Sequence, residues 1–354
     1  MIMKKILTLS LAAACVLLPA SCNKLFQGEE NAASVPLESY TVSIGVDLGA
    51  STRADAYTDE MDYEKATNSV QYLIFDEDGK LVAHRDVATT DAQDFNLKKG
   101  KKAIYVVVNG ADLSGITAKS ELLGRVYSLA DDSRTASKGF QMVSDEYTVS
   151  VDKSTPATTV KVHRIAARVA LVSVKNNLSL SPGALRVERV WLSNVAGDWG
   201  SSAPSVGTWY NRQGRSDSEQ SHIIDGSTYK AEAEAMTFKA IGQDIAKGGL
   251  YQPASPDLFY CYPNASANTP DGWTASWPAD GQKTLCVIAA SVDGTLYYYP
   301  VVINTVESNK TYTIYATISN KGSDDPNKPI TSDAASINVT VDPWESGGVI
   351  EPNM

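Results

Sequence analysis

The stretch S-Y-T-V-S-I-G-V-D-L-G-A-S-T-R-A, residues 39–54, begins as a regular alternation of apolar and polar side chains and ends as a small polar segment. Its apolar positions are Tyr40, Val42, Ile44, Val46 and Leu48. Because neighbouring side chains in a strand point to opposite faces, the spacing predicts a strand whose apolar residues enter a core and whose intervening residues point outward. The polar end surrounds one arginine and is typical of an exposed connection where proteolysis concentrates. A trypsin-like cut between Arg53 and Ala54 would release the strand, and an uncut first strand followed by a loop arginine is the alternative.

The first 21 residues have the pattern of a secretory signal. Lys4 and Lys5 precede an apolar run, residues 6–18, that is too short to span a bilayer as a mature helix. Small residues ahead of Cys22 are similar to a lipobox and predict lipidation of Cys22, with ordinary signal-peptidase cleavage as the alternative. Each buried methylene of an acyl chain contributes about 0.8 kcal/mol, so two or three chains would hold the exported protein on a membrane.

Length and composition limit the class of protein. The chain has 354 residues, of which 43% are hydrophobic, so we expect two globular domains of about 150 residues after the leader. Lys and Arg number 31 against 41 Asp and Glu, which gives a net charge of −10. An acidic chain of this kind is not expected to bind nucleic acid.

The sequence contains no recognisable catalytic, cofactor or metal site. Its three histidines, His84, His163 and His222, lie far apart, and there is no H-E-x-x-H, G-x-S-x-G or glycine-rich phosphate loop. Asp76 and Asp78 lack the further ligands of a calcium loop and instead predict a hairpin turn. We therefore expect no enzyme activity and no cofactor.

Short strands separated by turn residues follow one another along the chain. Residues 70–75 and 81–83 predict a hairpin, and residues 101–109 form a β-branched run suited to a strand buried on both faces. Helix is expected only between residues 113 and 133, and residues 54–68 are expected to form a mobile new N-terminus if the chain is cut after Arg53. The pattern predicts an all-β protein with minor helix, built as β-sandwiches.

Several motifs resemble the Bacteroidales fimbrillins, the FimA- and Mfa1-like pilins. They are T-R-A after an early strand, R-I-A-A-R-V at 164–169, Y-C-Y-P-N at 260–264, Y-Y-Y-P-V at 297–301 and V-D-P-W at 341–344. The resemblance implies a lipoprotein precursor of the outer membrane whose early strand is removed by an arginine-specific protease. A donor strand from another copy, or from a related fimbrial subunit, then fills the vacated groove in the cell-surface fimbrium.

The resemblance also implies a domain organisation. It consists of a signal peptide (1–21), a lipidated propeptide (22–53) and two tandem antiparallel β-sandwich domains of transthyretin-like, Greek-key type (54–160 and 161–354). The candidate donor strand is 337–354, with Ile337, Val339 and Val341 as its inward set. The residues after Trp344 are few and include Gly347, Gly348 and Pro352, so stalk, tip and anchor roles all stay open.

Two features leave alternatives open. Cys261 and Cys286 lie in apolar, strand-like runs of an exported chain, where a disulfide or two buried thiols would both fit. The tryptophans could pack in core and loops or form a platform for sugars. They are Trp191, Trp199, Trp209, Trp273 and Trp277. A monomeric surface lipoprotein that binds glycan or host protein is therefore the alternative function, followed by a secreted carbohydrate-active enzyme.

Overall fold

Runs of β-branched and aromatic residues dominate the chain and form strands along most of its length. The computed structural model describes residues 38–51, 60–179, 182–202, 206–212, 233–272, 277–330, 333–344 and 346–347. The strands of the first half are β1 (Ser39–Asp47), β2 (Ala50–Ser51), β3 (Val70–Phe75), β4 (Leu81–Val87), β5 (Gln93–Lys98), β6 (Gly100–Val108), β7 (Val126–Ser128), β8 (Met142–Ser144), β9 (Tyr147–Val151) and β10 (Thr158–Arg164). Those of the second half are β11 (Ala167–Asn176), β12 (Leu185–Ser193), β13 (Val195–Ala196), β14 (Asp198–Gly200), β15 (Trp209–Tyr210), β16 (Phe238–Ile245), β17 (Leu250–Tyr251), β18 (Asp257–Cys261), β19 (Leu285–Val292), β20 (Thr295–Val302), β21 (Lys310–Ile318), β22 (Ala335–Pro343) and β23 (Ser346–Gly347).

The first half folds into one eight-stranded sheet that curls around a core of its own. The strand order is β4-β3-β6-β8-β10-β1-β5, with β9 paired to β6. The two ends of the sheet meet, because the Arg85 guanidinium of β4 lies 4.5 Å from the ring centre of Phe95 in β5. Alternate residues of the strands, among them Tyr72 and Val106, fill the enclosed core.

The outer face of this sheet is also covered where it meets the second half. Leu73, Phe75 and Val107 point away from the curled core and pack into the large cluster that includes the second half. Seven consecutive residues of β6, Lys102 to Val108, are buried. This confirms the expectation for the run 101–109, since a strand covered on both faces needs apolar residues at every position.

The second half is a sandwich of two sheets. One has the order β17-β11-β21-β22, with β18 also paired to β11, and the other has the order β16-β12-β19-β20. Their facing side chains form most of the large core cluster. The predicted all-β, sandwich-type fold is confirmed. The sheets are not wholly antiparallel, however, because β1 pairs with β10 and β11 with β21 in parallel. Parallel neighbours need a long connection along the chain, and both pairs have one.

Helices are short in the part of the chain that the structure describes. They are α1 (Asp62–Lys65), α2 (Lys119–Leu123), α3 (Glu234–Thr237) and a 3-10 turn at Leu129–Asp131. The helical expectation for residues 113–133 thus holds for one α-helix and one 3-10 turn, separated by β7. No described helix is long and apolar enough to cross a membrane.

Candidate functional site

The strand predicted from residues 39–54 is β1, and it lies inside the curled sheet, between two neighbours. Residues 39–44 pair antiparallel with β5, where Val42 lies opposite Phe95. Residues 44–47 pair parallel with β10, where Ile44 lies opposite Thr158. β1 is therefore the only link between β5 and β10 in the hydrogen-bonded order of the described strands.

The side chains of β1 follow the predicted parity. Val42 is 1% and Ile44 0% exposed, and both belong to the curled core. Tyr40, Val46 and Leu48 are partly buried and pack against it. Of the intervening residues, Thr41 and Asp47 are exposed and Ser43 is half-buried. One face of the strand is therefore buried from solvent, as expected for a strand whose side chains alternate between its two faces.

Loss of β1 would open a slot that we call the β5–β10 groove, bounded by Gln93–Lys98 and Thr158–Arg164. Its apolar floor is buried under β1 and includes Phe95, Leu97 and Val160. Full burial of an aliphatic side chain stabilises by about 1.5–3 kcal/mol, so Val42 and Ile44 together contribute about 3–6 kcal/mol. The groove would also leave the facing backbone groups of two strands unpaired, which is costly and favours another strand there.

A charge introduced into this groove should be expensive. We expect Ile44→Asp to lower the free energy of unfolding of the uncut chain by about 3–5 kcal/mol, because an unpaired carboxylate would be buried. Thr41→Asp, at an exposed position of the same strand, should cost less than about 1 kcal/mol. Urea unfolding of both variants measures the difference, and equal losses would contradict the assigned facing of β1.

The chain leaves β1 through a tight turn. The amide of Gly49, a residue with φ of 76°, donates to Asp47 Oδ1 at 2.9 Å. Residues Ala50–Ser51 then pair in parallel with Ser346–Gly347 near the C-terminus. The predicted lipidation site Cys22 and the predicted cleavage pair Arg53 and Ala54 lie outside the described residues.

The candidate donor residues lie in β22, which is the edge strand of its own sheet. β22 pairs antiparallel with β21 over its whole length, from Ala335 to Pro343. Ile337 and Val339 are half-buried against the large core, whereas Val341 is 53% exposed. Any donation by these residues therefore requires that β22 leave β21.

A buried ionic cluster begins at Glu60, a few residues after the predicted cleavage site. Glu60 and Glu64 are buried, and an oxygen of Glu60 lies 2.6 Å from Arg164 Nη2. Glu64 lies 3.1 Å from Arg168 Nη1 and accepts a hydrogen bond from the Tyr260 hydroxyl at 2.6 Å. From Glu60 onward the segment is fixed, because each buried charge has a partner of opposite sign.

The same cluster reaches the end of β22. Trp344 is 1% exposed, and its ring lies under the guanidinium groups of Arg164 (4.8 Å) and Arg168 (5.3 Å). Burial raises the pKa of Glu60 and lowers that of Arg164, while their mutual attraction opposes both shifts.

Sequence reasoning noted the arginine segment but missed its partners, although the i,i+4 spacing of the two glutamates matches that of the two arginines.

A second buried contact between the halves includes Asp132. Its Oδ1 accepts from the backbone amide of Gln141 at 2.7 Å, and the Gln141 side chain donates to the Tyr262 hydroxyl at 2.9 Å. Burial raises the pKa of Asp132 from 3.8 to about 7.

This carboxyl group should make stability depend on pH. Because folding raises its pKa, the stability that it contributes is complete below about pH 4 and is lost as the pH rises through 7. As the pH rises from 4 to 8, we expect the free energy of unfolding of the native chain to fall relative to that of Asp132→Asn. The difference between the two should reach up to about 4 kcal/mol. Unfolding measured across this range tests it, with the exposed neighbour Asp131→Asn as control. Parallel pH profiles for Asp132→Asn and the native chain would contradict it.

The two cysteines are free thiols in this structure. Cys261 ends β18 and Cys286 lies in β19, so they belong to the two facing sheets of the sandwich, and both are fully buried. Burial raises the pKa of Cys261 to about 12 and that of Cys286 further. Of the two alternatives left open by the sequence, the structure has the buried thiols and not the disulfide.

The other candidate residues are dispersed. No group of three or more potential metal ligands occurs within the described residues. Trp191 is wholly buried, and Trp209 and Trp277 pack edge to face at 5.2 Å. Trp199 lies apart from them and lines a cavity. Trp273 and His222 fall outside the described residues.

Comparison with protein families gives a match over part of the chain. The model of the family "Major fimbrial subunit protein (FimA)" matches residues 40–180, which include β1 and its partners, β5 and β10. A comparison with curated proteins finds no significant match.

Solved structures extend the likeness along most of the chain. A fimbrilin (FimA) from Porphyromonas gingivalis W83 has 14% identity and a TM-score of 0.59, covering 87% of this chain and 98% of its own. A candidate cell adhesion protein from Bacteroides eggerthii has 20% identity and a TM-score of 0.59, covering 89% and 99%. The tip fimbrial protein Mfa3 from P. gingivalis has 15% identity and a TM-score of 0.50, covering 86% and 100%. These likenesses show the fold.

The matched family consists of structural subunits of cell-surface fimbriae that assemble with other subunits, and it is not a family of enzymes. This confirms the expectation of a structural protein. Residues 40–180 of this chain thus match the FimA family model, and its fold is similar to that of solved fimbrillin structures along most of its length.

Proposed function

We propose that this fimbrial subunit is exported as a lipoprotein on Cys22, cut between Arg53 and Ala54, and polymerised by strand exchange in the β5–β10 groove. The observation that carries the proposal is the position of β1. It is an internal strand with a fully buried Ile44, yet it lies N-terminal to a candidate cleavage site and only a short connection links the two.

Cleavage would convert a satisfied sheet into an acceptor. Once cut, β1 is held by pairing and packing alone, and its departure leaves the β5–β10 groove open. An entering strand gains main-chain hydrogen bonds along both walls and places alternate side chains where Val42 and Ile44 lay. Because the ionic cluster of Glu60 and Glu64 holds the chain just after the cut, the rest of the subunit keeps its fold.

The C-terminal end, residues 337–354, is the proposed donor. Its apolar residues Ile337, Val339 and Val341, followed by Asp342, repeat the pattern of Val42, Ile44 and Val46 followed by Asp47. A strand with this pattern presents the same kind of side chain at each inward position. In the same proposal, residues 54–160 and 161–354 are the two domains, and the chain changes sheet between Arg164 and Ala167.

The intact mass of the subunit taken from its cell surface tests the proposal. A mature chain that starts at Ala54 is expected in fibres, and a chain that starts at an acylated Cys22 is expected in the unassembled precursor. Fibres whose subunits all retain residues 22–53 would overturn the proposal. A surface protein found only as the acylated monomer would fit the alternative of a monomeric lipoprotein.

A further inference from the structure

A cavity of about 260 Å³ opens between the outer face of the curled sheet and β14 of the second half. Tyr105 and Val143 belong to its sheet side, Leu122 to α2, and Trp199 to the second half. Tyr127 and Trp199 are directly opposite each other in the β7–β14 pair, and their rings lie 5.8 Å apart at 45°. The cavity therefore has an aromatic wall supported by backbone pairing.

Four polar groups around the cavity have no hydrogen-bond partner within the described residues. They are the Tyr127 hydroxyl, the Trp199 indole N–H, the His163 imidazole and the Asp145 carboxylate. Burial lowers the pKa of His163, so its neutral ring offers one donor and one acceptor. Tyr127 is buried, His163 and Trp199 are half-buried and Asp145 is exposed, so these groups are accessible from the cavity and offer hydrogen-bond positions to a ligand.

The charges around the cavity limit the class of ligand. Glu146 is already occupied, because it accepts from the Tyr105 hydroxyl at 2.6 Å and from Lys119 at 3.1 Å. No lysine or arginine is among the described residues that line the cavity. A phosphate or carboxylate would thus meet Asp145 without a counter-charge, which disfavours anionic ligands.

We propose that this cavity binds one neutral sugar ring, such as the terminal residue of a glycan, with Tyr127 and Trp199 as the aromatic wall and Asp145 and His163 as hydroxyl partners. Aromatic faces cover the C–H surfaces of a pyranose, and donors and acceptors match its hydroxyl groups. A cavity of about 260 Å³ is smaller than sites for drug-sized ligands and suits a single ring. β1 and β5 contribute no residue to the site, and His163 of β10 alternates with Val160 and Val162, whose side chains face the curled core.

Titration of the full chain with simple glycosides tests the site. The probes are methyl α-D-mannopyranoside, methyl β-D-galactopyranoside and the methyl glycoside of N-acetyl-β-D-glucosamine, followed by calorimetry and by saturation-transfer NMR. We expect saturable millimolar binding of at least one probe, and tighter binding of an oligosaccharide that ends in it.

Two variants locate the binding. Tyr127→Phe removes only a hydroxyl without a protein partner, so the fold is kept, and we expect affinity to fall about three- to tenfold. Trp199→Ala should lower it by more than about tenfold. Tyr315→Phe, on the exposed face of β21, is the matched control and should bind as the native chain does. Unchanged affinity in Tyr127→Phe and Trp199→Ala would overturn the site. Binding of the cation lysine amide without binding of any glycoside would also overturn it, because the cavity would then recognise positive charge and not a sugar.

Discussion

An Arg53→Ala subunit is expected to remain uncut and to assemble no fibres. In the uncut chain β1 stays covalently attached and fills the β5–β10 groove, so no other strand gains access to the unpaired edges. The measurement is the intact mass of the exported protein, together with electron microscopy of the cell surface. Fibres of normal length from uncut subunits would mean that removal of β1 is not the trigger.

A matched variant separates loss of cutting from damage to the chain. Arg53→Lys keeps the positive charge but should resist an arginine-specific protease, so it should accumulate uncut like Arg53→Ala. Limited treatment with a lysine-specific endoprotease should then produce the chain that starts at Ala54 and restore assembly. If Arg53→Lys matures normally in the cell, the processing enzyme is not specific for arginine.

Locking β22 to β21 is expected to block assembly although the groove is open. Tyr315 and Asn338 lie opposite each other in this pair and are both exposed, which suits an engineered disulfide between cysteines at the two positions. The double variant Tyr315→Cys, Asn338→Cys should be cut normally but should polymerise only after reduction, because the donor segment must leave its own sheet. Cys261 and Cys286 are buried and should not interfere.

The single cysteine variants are the controls, and deletion of residues 345–354 completes the test. If the locked subunit assembles and the deletion does not, the donor lies after Trp344 and β22 stays in place. If both assemble, this subunit only receives a strand, as a tip subunit would. If neither the locked subunit nor the deletion variant assembles, the donor strand is the whole C-terminal segment, residues 337–354.

The sequence by itself determined which faces of the strands are buried. The alternation from Tyr40 to Leu48 predicted the inward side of β1, and the continuous apolar run at 101–109 predicted a strand covered on both faces. These properties depend on side-chain spacing within one strand, which is local information. The family motifs added the order of events around Arg53, and this part stays a prediction.

Only the tertiary structure decided which strands are neighbours. β10 lies beside β1 although Thr158 is far along the chain from Ile44, and Glu64 meets Arg168 across 104 positions. The same holds for the edge position of β22 and for the unpartnered groups around Tyr127 and Trp199. A single sequence shows how apolar each strand is but not which strand pairs with it. The strands have similar apolar patterns, and the contacts that select one partner over another form between segments that are distant in the chain.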